Sequence, residues 1–287
     1  MTATPWTNRH ALVTGAASGI GLALSRALVH KGAIVHMADV DAAGLGRAAA
    51  EFSDRVRTAV VDVRDAVAVR DLVDEVVREA GRLDYLFNNA GIGIAGEAHE
   101  IAVEHYDRII DVNIRGVVNG VAAAYPVMVK QGSGHIVTTA SLEGVSPAPL
   151  LVPYAMTKHA VVGLTTSLRL EAQRYGVRVS AFCPAAVETP LLDADTPADL
   201  PPLTSRPNVR QYLEKAAGAA YPADRLAEYV LRGVARNRML IIAPARARLI
   251  ALLYRLLPAL VMRESGRTLE AQRARRPGHA TVPSGST

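Results

Sequence analysis

The sequence predicts a single α/β domain in which a parallel sheet is covered by helices on both faces. Short apolar runs alternate with longer segments whose apolar residues recur at helical spacing, as Ile20, Leu24 and Leu28 do. Such alternation implies parallel βαβ units, whose right-handed crossovers place helices on both faces of a doubly wound sheet. Almost every run is followed by polar residues or glycines, and ligands of these sheets bind beyond the carboxyl ends of the strands.

The elements follow one another along most of the chain. The predicted strands cover residues 11–14, 33–38, 56–61, 83–87, 135–139, 177–182 and 239–243, and the predicted helices cover residues 19–31, 65–80, 103–130, 154–175 and 224–236. Residues 193–222 break this rhythm with Pro, Ala and Asp, which predicts a loop within a substrate lid near 190–222. The domain then spans residues 1–243, followed by an amphipathic helical segment at 244–266 and a disordered tail at 267–287.

Composition excludes several classes of protein. Half of the 287 residues are hydrophobic and 21% are charged, which is typical of a folded globular protein. The single cysteine, Cys183, excludes an intrachain disulfide. The N-terminus lacks the pattern of a signal peptide, so a cytoplasmic location is expected.

The formal charge of +5 is unevenly distributed, because arginines are concentrated near the C-terminus. They are Arg246, Arg248, Arg255, Arg263, Arg267, Arg273, Arg275 and Arg276. No nucleic-acid module with stacking aromatics accompanies them, so we expect no nucleic-acid partner.

A glycine-rich turn joins the first predicted strand to the first predicted helix. Gly15, Gly19 and Gly21 allow a tight turn and a close approach of the backbone to a pyrophosphate. The free N–H groups at the helix N-terminus favour the phosphates. The strand–turn–helix context favours cofactor binding over a purely structural turn, with Ser18 and Ile20 among the contacts.

The spacing of this turn resembles the TGxxxGIG motif of the classical short-chain dehydrogenase/reductase family, and the resemblance extends to about residue 189. It implies a Rossmann-type fold and a nicotinamide cofactor. It further implies that Asp62 contacts the adenine amino group and that Val63 lines the adenine pocket. The alternative interpretation of Asp62 is a cap for the helix that begins near Asp65, and both roles can hold together. The four residues Asn88, Asn89, Ala90 and Gly91 resemble the family's NNAG element, which borders the cofactor and stabilises the sheet. Asparagine and glycine also suit turns on their own, but the complete match favours the family role.

Asp39 follows the second predicted strand and bears on the choice of cofactor. A carboxylate there can accept hydrogen bonds from both ribose hydroxyls of adenosine and would repel a 2′-phosphate. Ser18 is uncharged, and no basic residue follows the strand directly. These residues favour NAD over NADP. A helix cap or turn role is the alternative interpretation of Asp39.

Tyr154 and Lys158 are four residues apart on a predicted helix and therefore share a face. With Ser141 and Asn113 they resemble the family's Asn-Ser-Tyr-Lys tetrad, which implies that Tyr154 is the acid and base and that Lys158 also binds the cofactor. A tyrosine pKa near 10 is too high for a base near neutrality, so a neighbouring ammonium is expected to lower it. Ser141 would stabilise charge on the substrate oxygen, and Asn113 would hold a relay water.

The segment after the sixth strand resembles the family's PGxxxT element, with Ala185 where glycine is usual. The resemblance makes Pro184, Val187 and Thr189 cofactor contacts. Alanine is acceptable there if its φ is negative.

The apolar residues before Tyr154 and after Thr189 predict a small hydrophobic alcohol or ketone, such as a steroid-, terpenoid- or lipid-like compound. Simple packing of these loops competes with that interpretation. No metal site is predicted. The segment 245–263 mixes leucine with arginine and suits either a membrane surface or packing, of which packing is favoured.

Three functions compete at this point. The leading hypothesis is an alcohol–carbonyl oxidoreductase, and the resemblance implies a homodimer or homotetramer. A redox sensor without turnover would not need the tetrad. A sugar-nucleotide epimerase or dehydratase usually has a different glycine spacing.

Overall fold

The computed structural model describes residues 5–52, 54–205 and 207–274. Its central feature is a seven-stranded parallel sheet in the order β3-β2-β1-β4-β5-β6-β9. The strands are β1 (His10–Thr14), β2 (Ile34–Asp39), β3 (Val56–Val60), β4 (Tyr85–Asn88), β5 (Gly134–Thr139), β6 (Val177–Pro184) and β9 (Leu240–Ala243). A small second sheet pairs β7 (Val187–Glu188) with β8 (Tyr221–Pro222). The predicted doubly wound α/β fold is confirmed.

Helices cover both faces of the sheet. They are α1 (Gly19–His30), α2 (Ala42–Ala49), α3 (Ala66–Ala80), α4 (Val103–Ile110), α5 (Gly116–Gln131), α6 (Val152–Ala172), α7 (Val209–Ala217), α8 (Ala223–Ala235), α9 (Ala245–Leu256) and α10 (Pro258–Arg273). In β1, Val13 packs with the side chains of α1, α2 and α8, while Leu12 packs with those of α3 and α5. Because neighbouring strand residues point to opposite faces, the central strands β1 and β4 are buried on both faces.

The long predicted helix at 103–130 is interrupted. It consists of α4, a π-helical turn at Asp111–Arg115, and α5. By length and composition alone, the combined stretch Val103–Gln131 could cross a membrane, which is weak evidence for a span. In the structure α5 contacts β4, β5 and α3, as a helix covering a sheet does.

Two predictions about irregular segments were wrong. The predicted loop at 193–222 contains α7, whose first turn is capped by Asn208 accepting a hydrogen bond from the Gln211 N–H at 2.8 Å. The predicted tail is helical as far as Arg273, which pairs with the buried Glu97 at 2.7 Å and so fixes the end of α10 to the domain. Residues 275–287 of that predicted tail lie outside the described residues. Pro258 starts α10, a position where its missing N–H costs nothing.

The preference for packing at 245–263 holds for only one face of α9. Ala247 is fully buried there, and Ile250 and Ala251 pack against the domain. The leucines on the opposite side of α9 and at the start of α10 are exposed.

Candidate active site

A groove of about 430 Å³ lies at the carboxyl ends of the strands, on both sides of β1. Strand order reverses at β1, because β2 and β4 flank it, and such a switch point is the usual ligand site of a doubly wound sheet. The predicted site residues that line the groove are Gly15, Ser18, Gly19, Ile20, Asp39, Asp62, Val63, Asn89, Ala90, Gly91, Tyr154, Lys158, Pro184 and Thr189. The fold therefore assembles residues that are up to 174 positions apart, from Gly15 to Thr189.

The glycine turn has the conformation that a dinucleotide cradle requires. Gly15 and Gly19 have φ values of 66° and 53°, in the region that disfavours residues with a side chain. A Cβ on Gly21 would lie 2.0 Å from the Gly15 carbonyl oxygen. Ser18 has extended backbone and its hydroxyl caps no helix N–H, so the N-terminus of α1 faces the groove. These residues fit a pyrophosphate.

Asp39 stands at the far end of the groove and is held by backbone donors. Its carboxylate accepts hydrogen bonds from the Ala17 N–H at 2.9 Å and from the Asp41 N–H at 3.1 Å. The helix cap of α2 is Asp41, which accepts from the Gly44 N–H at 2.9 Å. Asp39 is therefore not the cap of α2, whereas its bond to the Asp41 N–H, two residues further on, agrees with the turn role. The same residue also lines the groove.

Asp62 follows the end of β3 by two residues and pairs with Arg64. The Arg64 guanidinium holds the pKa of this carboxyl below its usual range. The cap of α3 is Asp65, which accepts from the N–H groups of Val67 and Ala68, so the capping interpretation of Asp62 is wrong too. Arg64 also lines the groove, which adds a basic group that the sequence argument did not include.

Asn89 links the ends of three strands. Its side-chain amide donates to the carbonyl oxygens of Thr14 and Gly15, at 3.0 and 3.2 Å. Its carbonyl oxygen accepts from the Thr139 hydroxyl at 3.0 Å. Asn89 thus stabilises the sheet and borders the groove.

Tyr154, Lys158 and Ser141 lie together beyond the end of β5. The Lys158 Nζ is 5.5 Å from the centre of the Tyr154 ring and donates to the Thr139 carbonyl oxygen at 2.9 Å. Ser141 is buried beside them. Tyr154 lines both the groove and a small pocket behind it, and is therefore where a cofactor and a substrate would meet.

Asn113 lies at the centre of the π-helical turn and is fully buried. Its side-chain oxygen accepts from the Ile92 N–H at 2.9 Å, and its amide donates to the Ile92 carbonyl oxygen at 3.0 Å and to Thr157 Oγ1 at 3.1 Å. The structure thus gives Asn113 a positioning role for the segment beside Gly91.

The protein alone does not produce the predicted lowering of the tyrosine pKa. Burial raises the pKa of Tyr154 above its ordinary value, and the nearby Glu143 raises it further. Burial lowers the pKa of Lys158 to about 8. The hydrogen bond with Ser141 opposes the rise of the Tyr154 pKa but does not reverse it, in contrast to the lowering that the sequence led us to expect from the lysine.

Glu143 is a candidate site residue that was not predicted from the sequence. Its buried carboxyl is hydrogen-bonded to the Ser141 hydroxyl and lines the small pocket together with Tyr154. Burial raises the pKa of Glu143, and Ser141 and Lys158 partly oppose that shift. The available signal was an acidic residue within the apolar loop that follows the serine.

The pocket behind Tyr154 has a volume of about 70 Å³ and a mainly apolar wall. Of the predicted wall residues, Leu151, Leu191 and Leu192 contribute. Val209 and Leu213 of α7 were missed because that segment was predicted to be a loop. A second cavity of about 500 Å³ lies next to it and is lined mainly by residues between 194 and 205, among them Leu200 and Leu203.

The predicted cofactor contacts in the loop after β6 do not all line the same cavity. Pro184 and Thr189 line the groove, whereas Val187 lines only the apolar pocket among the described cavities. Ala185 is absent from the described residues with positive φ, and its N–H donates to the Ala243 carbonyl oxygen at 2.8 Å. Alanine is therefore compatible with this loop.

Among residues 5–52, 54–205 and 207–274, no group of three or more His, Cys, Asp or Glu is placed to hold a metal ion. The groove instead offers a glycine turn, a helix N-terminus and, at its far end, the carboxylate of Asp39. This is the donor set for a dinucleotide.

Comparison with known proteins agrees with this geometry. The chain is 36% identical over 196 residues to levodione reductase of Leifsonia aquatica, covering 66% of this chain and 73% of the relative. It is 38% identical over 192 residues to the oxidoreductase UcpA of Escherichia coli, covering 66% and 73%.

Two solved structures are also similar. A short chain dehydrogenase/reductase from Burkholderia phymatum in complex with NAD has a TM-score of 0.76 and 28% identity, covering 98% of this chain and 100% of the other. A 3-ketoacyl-(acyl-carrier-protein) reductase from Brucella melitensis complexed with NADH has a TM-score of 0.74 and 29% identity, covering 84% and 99%. The short chain dehydrogenase family model matches residues 9–199, and the chain belongs to that family of oxidoreductases.

Proposed function

We propose that the protein interconverts a secondary alcohol and a ketone or aldehyde by hydride transfer with NAD, using Tyr154 as acid and base. The observation that carries this proposal is the place of Tyr154 at the junction of the groove and the apolar pocket. Ser141 and Lys158 lie on either side of the same junction. When bound, the nicotinamide accepts or donates the hydride.

The residues of this chain handle the proton and the charge. In the reductive direction the Tyr154 hydroxyl donates a proton to the substrate oxygen, and in the oxidative direction its phenolate accepts one. The Ser141 hydroxyl donates a hydrogen bond to the same oxygen as negative charge develops there. Lys158, whose pKa lies at about 8, can change protonation near neutral pH and restore the proton of Tyr154.

The preference for NAD is supported by Asp39. Its fixed carboxylate would face the 2′-hydroxyl of adenosine and repel a 2′-phosphate. Arg64 and Arg108 also line the groove, but they pair with Asp62 and Asp199. Those ion pairs reduce the positive charge available to a 2′-phosphate.

The apolar wall of the pocket supports a small hydrophobic substrate. The adjoining cavity of about 500 Å³ supplies the additional room that a steroid-, terpenoid- or lipid-like compound would need. A homodimer or homotetramer formed through α5 and α6 is supported by the exposed apolar residues Val118, Met156 and Leu170 on those helices. These side chains would be covered in such an assembly.

The test is turnover with a panel of apolar secondary alcohols and ketones, including levodione and a 3-ketoacyl compound, with each cofactor supplied separately. We expect activity with NAD or NADH, and a loss of at least about 1,000-fold in kcat for Tyr154→Phe with little change in NADH binding, because only the transferable proton is removed. Equal activity in Tyr154→Phe would refute the mechanism. NADH binding without any turnover would favour a redox sensor.

A further inference from the structure

A continuous apolar surface covers the turn between α9 and α10. Six large apolar side chains are exposed within fourteen residues, namely Leu249, Leu252, Leu256, Leu257, Leu260 and Met262. Residues 256–260 are exposed without a break. Soluble proteins rarely expose contiguous leucines in this way unless the patch binds a partner or a membrane.

The turn is held out from the domain by anchors at both ends. At the start of α9, Ala247 is buried and Arg246 donates to the Ala219 carbonyl oxygen. At the end of α10, Arg273 binds the Glu97 carboxylate at 2.7 and 3.0 Å. The exposed leucines between these anchors therefore form a fixed structural feature, which we name the leucine turn (residues 249–262).

The charges around the leucine turn are of one sign. Residues 245–263 contain four arginines and no acidic residue. Arg255 and Arg263 flank the exposed leucines and are themselves exposed. The nearest acids along the chain, Glu264 and Glu270, already pair with Arg267 and Arg273 at 2.5 and 2.8 Å.

From these observations we propose that the leucine turn docks onto an anionic phospholipid surface. The leucines would enter the boundary of the acyl chains while Arg255 and Arg263 meet the phosphate groups. A two-fold contact with a second copy would bring the same arginines face to face, and the nearest acid along the chain, Glu264, already pairs with Arg267. The charge pattern therefore favours a lipid surface over a second copy of this chain.

The docked surface would lie next to the substrate pocket. The side chains of Ala247, Ile250 and Ala251 pack in one cluster with Leu142 and Ala185. Leu142 directly follows Ser141, and Ala185 lines the pocket itself. If the proposed function holds, an apolar substrate dissolved in the lipid could reach the pocket from this side.

The test is flotation of the full-length protein with vesicles of phosphatidylcholine alone and of phosphatidylcholine with phosphatidylglycerol. We expect binding to the anionic vesicles and at least about tenfold weaker binding to the neutral ones. Leu256→Ser with Leu257→Ser should reduce anionic binding by about tenfold or more, because two exposed apolar side chains are lost. Arg255→Gln with Arg263→Gln should reduce it by a similar factor.

The matched control is Val60→Ser with Val67→Ser. These valines are 62% and 54% exposed, close to the 65% and 51% of Leu256 and Leu257, but they lie on β3 and α3. The control should bind vesicles like the wild type. No binding of the wild type to anionic vesicles would overturn the proposal, as would equal binding by the leucine variant.

Two further readouts separate competing outcomes. Sedimentation velocity without lipid should show the same oligomeric state for the wild type and the leucine variant. A smaller assembly in the variant, together with no vesicle binding by the wild type, would overturn the proposal. It would show that the leucine turn forms an interface between copies of this chain. Turnover of a water-soluble substrate should be equal in both proteins, so a failure of the proposed catalytic function would be visible independently of vesicle binding.

Discussion

Replacing Glu143 with glutamine tests the chemistry of the pocket most directly. The carboxyl group is buried, hydrogen-bonded to Ser141, and has its pKa raised above the ordinary value of 4.5 by burial. Glutamine keeps the shape and a hydrogen-bond partner for Ser141 but cannot ionise. The variant therefore isolates the contribution of the titrating proton.

The sign and size of the effect on stability follow from proton linkage. Above pH 4.5 the unfolded chain releases the Glu143 proton, while the folded protein keeps it until the raised pKa is reached. The wild-type free energy of unfolding should therefore fall, relative to the Gln variant, by about 1.4 kcal/mol for each pH unit across that interval. Above the raised pKa the difference should become constant.

The assay is urea unfolding of both proteins at several values between about pH 4 and pH 9. The control is Glu79→Gln, because Glu79 is exposed on α3 and the same chemical change should give a difference that hardly varies with pH. A difference between wild type and the Glu143 variant that is equally flat would refute the reasoning. It would mean that Glu143 ionises in the folded protein as an exposed glutamate does.

The same substitution should also change the pH profile of activity. Below the raised pKa of Glu143 we expect the Gln variant to keep kcat within about threefold, because a protonated carboxyl and an amide can both donate to Ser141. Above that pKa an ionised Glu143 would take the Ser141 hydrogen away from the substrate oxygen. As the pH rises through that pKa, the wild type should therefore lose activity that the variant retains, and parallel profiles would contradict this.

The remaining predictions concern the groove and the C-terminal helix. Gly21→Ala places a Cβ 2.0 Å from a backbone oxygen and should destabilise by about 1–3 kcal/mol and weaken NADH binding about tenfold or more. Gly46→Ala, where the space is open, should instead stabilise by about 1 kcal/mol in the same unfolding assay, and equal signs would contradict the steric argument. Asp39→Asn should raise the ratio of kcat/KM with NADP to kcat/KM with NAD by about tenfold or more, because a negative charge facing the 2′-phosphate is removed. An unchanged ratio would remove the basis for the NAD preference. Arg273→Gln should lower the free energy of unfolding by about 1–2 kcal/mol, because it leaves the buried Glu97 without this guanidinium. Arg267→Gln removes a partner from an exposed pair and should lower it by at most about 0.5 kcal/mol. Similar losses in the two variants would mean that the ion pair at the end of α10 contributes little.

Much of the fold was predictable because its signals are local. The apolar runs 11–14 and 135–139 agree with β1 and β5 to within one residue at each end. The glycines at positions 15 and 19 were expected in a tight turn, and both have positive φ. Since parallel strands place their carboxyl ends at one edge, the polar residues after each strand could be predicted to meet there.

The sequence by itself therefore determined the class of fold, the glycine cradle and the group of Ser141, Tyr154 and Lys158. The tertiary structure decided the electrostatics of that group, because burial depends on residues far along the chain. The pKa of Tyr154 rises through desolvation and through Glu143, and α7 closes the pocket with Leu213. Only packing shows that the charged Glu143 is enclosed while the leucines near residue 256 remain exposed, since the local sequence alone would favour the opposite for both.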